Sequence, residues 1–241
     1  MSNRPVWVVI PAAGVGARMQ ADCPKQYLEL QGQTVLEHTL DCFLEQPGIQ
    51  GIVVVVSPDD PWWPSVSARL VQPVMSTSGG ASRAESVLKG LTFLLQQPGV
   101  SPDQVVLVHD AARPCLPPAD LALMLSAAES CADCGALLAL PVRDTMKRAG
   151  PDGRHVAHTE SRERLWHALT PQLARLGVLH AALLKAMDAG FAVTDEASAL
   201  EYVGLHPRLL EGHAANIKIT RPSDLELAGF LLQQRHAEEE E

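Results

Sequence analysis

The sequence has little positive charge, no recognisable secretory signal and no apolar run of membrane-spanning length. Its 241 residues carry a formal net charge of −9 at pH 7, which argues against a nucleic-acid-binding surface and against attachment to anionic lipid. The first residues lack the basic and apolar segments of a signal peptide. No apolar stretch approaches the about 20 residues that a membrane helix needs. We therefore expect a cytoplasmic protein that binds neither nucleic acid nor a membrane.

Groups with familiar catalytic or metal-binding spacing are also scarce. The five cysteines are Cys23, Cys42, Cys115, Cys131 and Cys134. Without a secretory signal we expect reduced thiols. Cys131 and Cys134 form a C-x-x-C, but neither a second such pair nor a nearby histidine pair accompanies it, so we interpret these thiols as incidental. No Ser-His-Asp order and no histidine-rich cluster stands out.

What the chain does contain is an alternation of apolar runs and helical patterns. The predicted strands are 6–10, 51–56, 104–109 and 135–140, and the predicted helical segments are 35–45, 80–95 and 119–128. Strands that are apolar on both faces and separated by helices indicate a mostly parallel sheet with helices on both sides. With neither an internal repeat nor a domain boundary, the pattern predicts one domain over residues 1–241, ending in a disordered acidic tail at about 236–241.

The first predicted strand runs into a glycine loop that is followed by two cations. Small residues from Ala12 to Gly14, and Gly16, let backbone N–H groups approach phosphate or base edges. Neither a dinucleotide nor a Walker-type site fits, because Met19 stands where the last glycine of G-x-G-x-x-G would be and no G-K-[ST] follows. Arg18 and Lys25 can reach the same phosphates and neutralise charge at a reacting phosphate. The joint pattern predicts a nucleoside triphosphate site.

Three polar residues lie at or just beyond the end of the predicted strand 104–109. Ligands of open α/β sheets bind at the carboxyl ends of the strands, and Asp110 lies at such an end. This carboxylate can bind Mg²⁺, and it can equally cap a turn. We expect His109 to pack at the strand end and Arg113 to form a structural ion pair.

Two helix starts and one late segment complete the candidates. Gly80 and Ser86 border a helix start that suits a nucleobase or ribose edge, although Ser82 can also be an ordinary cap. The segment Thr194–Ser198 has the pattern of a capped helix start with acidic residues in the first turn. A short alternating strand is predicted around Lys218; as a cation it can bind an anion or protect a sheet edge.

The charged segment at about 142–165 interrupts the alternation. Pro151-Asp-Gly153 is a turn signal, so the residues on either side can pair as a hairpin. A hairpin alone is marginally stable and needs a surface to lie on. From the residues, a surface excursion and an arm that packs on a second subunit are both open interpretations.

The missing catalytic triad is compatible with a phosphate nucleophile. A phosphate monoester is already largely dianionic at neutral pH, with a second pKa of ~6, and needs no general base. The enzyme then has to hold two anions in line and neutralise the charge that builds at phosphorus.

Seven blocks in order resemble the 2-C-methyl-D-erythritol 4-phosphate cytidylyltransferase family of the non-mevalonate isoprenoid pathway. The blocks are P-A-A-G-x-G-x-R-M, C-P-K-Q-Y, V-H-D-A-A-R-P, P-V-R-D-T-M-K-R, L-W-H-A-L-T-P-Q, T-D-E-A-S-A-L-E and N-I-K-I-T-R-P. The resemblance covers about residues 6–232. It implies a Rossmann-like fold and the conversion of CTP and methylerythritol phosphate to 4-diphosphocytidyl-2-C-methyl-D-erythritol and pyrophosphate with Mg²⁺. A cytidylyltransferase for another polyol phosphate, such as ribitol 5-phosphate, and a catalytically idle nucleotide-binding protein are the alternatives.

The resemblance also implies roles for individual residues. Arg18 and Lys25 match transition-state stabilisers on the triphosphate, Lys218 and Arg162 match residues that position the sugar phosphate, and Asp110 matches the residue near the metal. The residues matching the cytidine-contacting loops are Ala12, Ala13, Gly14, Gly80 and Ser86. The residues matching the sugar pocket are Thr170, Thr194 and, in the arm, Thr145. In this family the arm crosses into the partner of a homodimer.

One departure from the family pattern concerns recognition of the base. Between Gly80 and Arg83 the family often carries an acidic pair, where this chain has Ala81-Ser82. An acidic contact to the cytosine amino group or to the ribose is therefore missing at these positions. A backbone carbonyl is the expected replacement.

Overall fold

The computed structural model describes residues 5–14, 22–44, 46–72 and 74–239. Its strands are β1 (Val6–Pro11), β2 (Glu29–Leu30), β3 (Gln33–Thr34), β4 (Ile49–Val56), β5 (Met75–Ser78), β6 (Val105–Val108), β7 (Ala136–Pro141), β8 (Met146–Ala149), β9 (Val156–Glu160), β10 (Trp166–Arg175) and β11 (Arg208–Glu211). Its helices are α1 (Val35–Asp41), α2 (Trp63–Ser67), α3 (Arg83–Leu95), α4 (Pro118–Ser130), α5 (Leu176–Asp188), α6 (Glu196–Tyr202) and α7 (Pro222–Glu239). Lys25–Tyr27 form a 3₁₀ turn.

A seven-stranded sheet forms the centre of the molecule, in the order β11-β7-β10-β6-β1-β4-β5. Strand β10 runs antiparallel to its neighbours β6 and β7, and the other six strands are parallel to one another. Strand β1 lies between β6 and β4, with Val9 opposite both Val108 and Val53. The mostly parallel sheet predicted from the apolar runs is confirmed.

Alternate side chains of β1 enter two hydrophobic clusters on opposite faces of the sheet. Val8 belongs to a cluster that includes buried residues of α1 and α4. Val9 belongs to a second cluster that includes buried residues of α3 and α5. Because helices cover both faces, the central strands are apolar on both sides. This confirms the predicted layers.

Capping side chains fix the starts of helices α3 and α6. At the start of α3, the Ser82 hydroxyl accepts a hydrogen bond from the Glu85 N–H at 3.1 Å. At the start of α6, Asp195 accepts from the Ser198 N–H at 2.9 Å, and the Ser198 hydroxyl accepts from the Asp195 N–H at 3.2 Å. Such caps satisfy N–H groups that a helix start leaves unpaired. Both starts agree with the sequence prediction.

Strands β8 and β9 form the predicted hairpin as a separate two-stranded sheet. Met146 lies opposite Glu160, and the turn contains the Pro-Asp-Gly sequence. Most of its side chains are exposed, including Val156 at 63%. Within one subunit the hairpin is a surface excursion, and its packing on a second subunit stays a prediction.

The segment around Lys218 differs from the prediction. Residues 216–220 form no strand; instead the Ile219 N–H donates to the Ala112 carbonyl at 2.8 Å, and the Asn216 side-chain amide donates to the Thr170 carbonyl at 2.8 Å. The predicted strand is wrong because isolated contacts to distant loops, and not a ladder of backbone hydrogen bonds, hold this segment.

The helices differ most from the expected boundaries at two ends. Helix α1 ends at Asp41, short of the predicted 35–45 segment. Helix α7 continues to Glu239 and so includes most of the tail that the sequence predicted to be disordered. None of the helices within the described ranges is long and apolar enough to cross a membrane.

Candidate active site

A cavity of about 530 Å³ opens where β1 and β6 end. Its lining residues are Pro11, Ala12, Ala13, Gly14, Lys25, Gln26, Gly80, Ala81, Ser82, Arg83, Ser86, Asp110, Ala111, Ala112, Lys218 and Thr220. The cavity therefore brings together eight of the predicted site residues from five separate segments: Ala12, Ala13, Gly14, Lys25, Gly80, Ser86, Asp110 and Lys218. Its position at strand carboxyl ends is the one at which open α/β sheets bind ligands.

The first loop is held by Gln26, a buried side chain that sequence reasoning missed. The Gln26 side-chain amide donates to the Ala12 carbonyl at 2.6 Å and to the Gly14 carbonyl at 3.0 Å. The neighbouring Lys25 extends its Nζ atom to the Ile219 carbonyl at 2.8 Å. The P-K-Q sequence thus places a cation and fixes the glycine loop with adjacent side chains. The sequence feature that could have identified Gln26 is its position next to Lys25 in the P-K-Q sequence.

The second loop approaches the first because Gly79 has no side chain. A Cβ atom at Gly79 would lie 2.5 Å from the Ala13 Cβ and 2.8 Å from the Ser86 Oγ. The buried Ser86 hydroxyl accepts from the Gly80 N–H at 3.1 Å and donates to the Ser82 carbonyl at 2.9 Å. The two loops therefore form one continuous wall of the cavity.

A carboxylate reaches this second loop from the first turn of α3. Oε2 of Glu85 accepts the Ala81 N–H at 2.8 Å. Lys89 lies 3.7 Å from Oε1 of Glu85 and donates to the Gly79 carbonyl at 2.9 Å. The Glu85 carboxylate and the Lys89 ammonium thus hold the loop in which the acidic pair is missing.

The Asp110 carboxylate forms ion pairs with three cationic side chains. Lys218 Nζ lies 2.8 Å from Oδ2, Arg83 Nε lies 2.9 Å from Oδ1, and Arg113 Nε lies 3.5 Å from Oδ2. Burial by itself raises the pKa of Asp110, but Arg83, then Lys218 and Arg113, outweigh it and hold that pKa well below the usual range. Asp110 is therefore ionised at neutral pH. The structural ion pair expected for Arg113 is present.

Arg83 also binds Glu196, at the start of α6. Nη1 lies 2.7 Å from Oε1 and Nη2 lies 3.2 Å from Oε2, so the pair is bidentate. Glu196 is 2% exposed. Burial lowers the pKa of Arg83, and the carboxylates of Glu196 and Asp110 more than reverse that effect. Sequence reasoning missed this contact, since the acidic first turn of α6 indicated only a favourable helix start.

A chain of hydrogen bonds fixes the strand end that carries Asp110. The Asp110 N–H donates to the Thr170 hydroxyl at 3.1 Å, and that hydroxyl lies 3.1 Å from His109 Nδ1. His109 Nε2 lies 3.1 Å from the Arg113 carbonyl, which can only accept. Burial lowers the pKa of His109 to about 4, so the ring is neutral at pH 7 and donates from Nε2. The expected packing role of His109 fits this arrangement.

Comparison with known proteins identifies the family of this chain. The model of the 2-C-methyl-D-erythritol 4-phosphate cytidylyltransferase family matches residues 6–234. The chain belongs to this family. A protein of that name from Pseudomonas entomophila is 55% identical over 221 residues, which are 91% of this chain and 92% of the relative.

Solved structures of the cytidylyltransferase family have the same fold. A crystal structure of a 4-diphosphocytidyl-2C-methyl-D-erythritol synthase superposes with a TM-score of 0.83 at 40% identity, covering 95% of this chain and all of that one (100%). The Francisella tularensis 2-C-methyl-D-erythritol 4-phosphate cytidylyltransferase gives a TM-score of 0.80 at 34% identity, with coverage of 94% and 99%.

Four of the described site residues predicted from the sequence or the cytidylyltransferase resemblance do not line the cavity. Two more predicted site residues, Gly16 and Arg18, lie outside the described residues. Thr170 is buried behind Asp110, and Thr194 is exposed just before α6. Thr145 and Arg162 are exposed in the arm, where the Arg162 guanidinium donates to the Arg143 carbonyl. The substrate contacts expected of all six stay predictions.

Asp110 is the described residue best suited to hold a divalent cation in this cytidylyltransferase fold. Within the described ranges, Asp110 included, no group of three or more histidine, cysteine, aspartate or glutamate side chains converges on one point. Mg²⁺ is commonly held by one or two carboxylates together with substrate phosphates and water. Each carboxylate oxygen can accept more than one contact, so Asp110 fits an ion that arrives with a triphosphate.

Proposed function

We propose that the protein transfers the cytidylyl group of CTP to the phosphate of 2-C-methyl-D-erythritol 4-phosphate, with release of pyrophosphate. Family membership supports this activity. The structural observation that carries it is the presence of Lys25, Lys218 and Asp110 in one cavity at the ends of β1 and β6. Two lysines from distant segments that line one cavity with a carboxylate suit a reaction that joins two anionic substrates.

In the proposed reaction the acceptor phosphate is the nucleophile. Its oxygen forms a bond to the α-phosphorus of CTP while the bond from that phosphorus to the pyrophosphate oxygen breaks. The acceptor is already largely dianionic, with a second pKa of ~6, so no side chain has to remove a proton. His109 is consistent with a reaction that needs no base, because its lowered pKa makes it a weak base and it is buried and does not line the cavity.

The cations divide between the two substrates. Lys25 extends from the turn beside the glycine loop and neutralises charge that develops on the triphosphate, a role that Arg18 is expected to share. Lys218, whose Nζ atom lies 2.8 Å from Oδ2 of Asp110, attracts the acceptor phosphate. An ammonium has three N–H donors, so Lys218 can keep its bond to Asp110 while it binds the acceptor.

Mg²⁺ belongs to the proposal as the cofactor, with Asp110 as its protein ligand. When bound, the ion screens the negative charge of the triphosphate and of the pyrophosphate that leaves. Arg83 and Lys218 keep Asp110 ionised and fix the direction of its carboxylate.

The proposed base contacts come from the two loops that form the cavity wall. Backbone groups of Ala12, Ala13 and Gly80 and the hydroxyl of Ser86 are the expected partners of cytosine. Hydrogen bonds from Gln26 and within the second loop fix these groups before the nucleotide binds. A preorganised wall reduces the entropy that binding costs.

We also propose a cytoplasmic homodimer in which the arm completes the partner's site. Thr145 and Arg162 are exposed and do not line the cavity of their own subunit. An isologous two-fold interface places the same arm over each of two cavities. Arg162 would then meet the acceptor phosphate bound beside the partner subunit's copy of Lys218.

Pyrophosphate release is the direct test. The purified protein is assayed with CTP, ATP, GTP and UTP, each with methylerythritol phosphate or ribitol 5-phosphate. We expect turnover with CTP and methylerythritol phosphate to exceed every other pair. Faster turnover with ribitol 5-phosphate would favour the related polyol-phosphate enzymes, and CTP binding without any pyrophosphate release would favour a nucleotide-binding protein.

A further inference from the structure

Arg83 joins three segments that each carry an expected substrate contact. It is the first residue of α3, which follows the loop containing Gly80. Its Nε atom binds Asp110 after β6, and its two Nη atoms bind Glu196, which is two residues beyond Thr194. The nucleotide loop, the candidate metal ligand and the loop expected beside the sugar are thus connected through one guanidinium.

All three nitrogen atoms of that guanidinium bind a carboxylate oxygen. Glu196 takes Nη1 and Nη2 in a fork at 2.7 and 3.2 Å, which turns Nε towards Oδ1 of Asp110 at 2.9 Å. Lysine has no planar fork and cannot make these contacts from one fixed position. With Oδ1 held by Arg83, Oδ2 of Asp110 faces Lys218 at 2.8 Å.

From these contacts we infer that Glu196 and Arg83 are positioning residues for Asp110, and that they couple the nucleotide side of the site to the acceptor side. Glu196 acts through Arg83 and does not line the cavity. Glu196 is 2% exposed, and a buried carboxylate needs such a partner. The inference rests on the proposed cytidylyl transfer, because turnover is its readout.

Loss of the fork has a specific kinetic consequence. Without it, Asp110 can rotate and Lys218 loses its fixed partner, while the backbone groups expected to bind cytosine keep their own hydrogen bonds. The defect therefore concerns alignment of the two phosphates, and misplacement by about 1 Å can cost on the order of 100-fold in rate. CTP binding in the ground state changes much less.

The experiment compares Glu196→Gln, Arg83→Lys and the double variant in pyrophosphate-release kinetics. We expect kcat to fall about tenfold or more in each single variant, with the KM for CTP within about threefold of the unsubstituted protein. Because both residues act through one contact, the double variant falls no further than the worse single variant. Independent, multiplying losses in the double variant would overturn the inference.

The chain offers a matched control in Arg69 and Glu37. This pair is also bidentate, with Nε to Oε1 at 2.7 Å and Nη2 to Oε2 at 2.9 Å, and Glu37 is buried. Neither residue lines the cavity. Glu37→Gln and Arg69→Lys are expected to lower the unfolding temperature without changing kcat. If they lower kcat as much as the site variants do, general destabilisation explains the effect and the inference fails.

Two further outcomes separate this inference from the proposed function. An active unsubstituted protein with unchanged kcat in Glu196→Gln would overturn the coupling alone, whereas an inactive unsubstituted protein would overturn both. If Glu196→Gln does not fold, Arg83→Lys carries the test, since it keeps the positive charge. Unchanged kcat in that variant would equally overturn the inference.

Discussion

Nζ of Lys218 lies 2.8 Å from Oδ2 of Asp110, so the cation expected to meet the acceptor phosphate is fixed by the carboxylate expected beside the metal. The backbone supports this contact. The Ile219 N–H donates to the Ala112 carbonyl at 2.8 Å, and Arg113 donates to the Asn216 carbonyl at 2.7 Å. The segment that carries Lys218 is therefore held to the loop that carries Asp110 on both sides of the ion pair.

Lys218→Gln is expected to impair the acceptor side of the reaction. The KM for methylerythritol phosphate should rise about tenfold or more, because the acceptor phosphate loses a charge-assisted contact. CTP affinity should change little. Steady-state kinetics with each substrate varied in turn measure this difference. Lys185→Gln, on the exposed face of α5, is the control. A rise confined to the KM for CTP would contradict the assignment.

Lys25→Ala is expected to reduce turnover with saturating CTP by at least ~100-fold, the scale of losing a preorganised electrostatic donor. Lys25 lines the cavity beside the glycine loop and is placed by the 3₁₀ turn that also contains Gln26. Single-turnover measurements of pyrophosphate release separate this loss from slow product release. Turnover close to that of the unsubstituted protein would remove Lys25 from the proposed mechanism.

Asp110→Asn is expected to destabilise the protein in a pH-dependent way. The folded-state pKa of Asp110 lies below the unfolded value of about 3.9, so its contribution to the free energy of unfolding is complete above that pH and is lost as the pH falls below it. At pH 7 the variant leaves Arg83, Lys218 and Arg113 without their common carboxylate, and we expect a loss of about 3–5 kcal/mol.

Urea denaturation at pH 7 and at about pH 3.5 measures this dependence. The difference in unfolding free energy between the two proteins should shrink at the lower pH, because Asp110 begins to protonate in the unfolded chain, with its pKa of about 3.9, while it stays ionised in the folded protein. Asp103→Asn is the control, since that side chain is 85% exposed. An equal difference at both pH values would show that packing, and not charge, explains the loss.

Glu85→Ala is expected to weaken CTP binding with little effect on kcat. Its carboxylate holds the Ala81 N–H at 2.8 Å in the loop that forms one wall of the cavity. For a partly exposed contact we expect a loss of about 1 kcal/mol, or roughly fivefold in the KM for CTP. Calorimetric titration with CTP checks it. Glu129→Ala, on the exposed face of α4, is the control, and equal CTP affinity in both variants would exclude a role for Glu85.

Much of the cavity could be predicted because its residues follow strands whose patterns are local. Ala12 directly follows β1, and Asp110 is the second residue after β6. Runs that are apolar on both faces identify such strands without tertiary information. Parallel strands place their carboxyl ends on one edge of the sheet. The joint position of these residues was therefore available from the sequence.

The remaining features depend on contacts between distant segments. No strand was predicted over β10, where Pro171 lacks the N–H that a ladder needs. The strand expected around Lys218 does not form because that segment is held by Ala112 and by the ion pair with Asp110. The fork between Arg83 and Glu196 has no local pattern at all, since its partners come from the starts of two separate helices.

The proposed arm exchange predicts complementation between inactive variants. Lys25→Ala and Arg162→Ala are each expected to be nearly inactive as homodimers. If Arg162 serves the partner's cavity, a mixed dimer contains one site with both substitutions and one site with neither. Subunits co-expressed in equal amounts should then recover about one quarter of the unsubstituted activity, as two-fold symmetry requires.

The matched control for this experiment is a mixture of Lys25→Ala and Lys218→Ala. Both lysines line the cavity of the same subunit, so every site of a mixed dimer keeps one substitution and no activity returns. Two different affinity tags isolate the mixed dimers, and sedimentation at micromolar concentration establishes that they are dimers. If the mixture of Lys25→Ala with Arg162→Ala is no more active than the sum of its parents, Arg162 acts in its own subunit's chemistry or lies outside the site altogether.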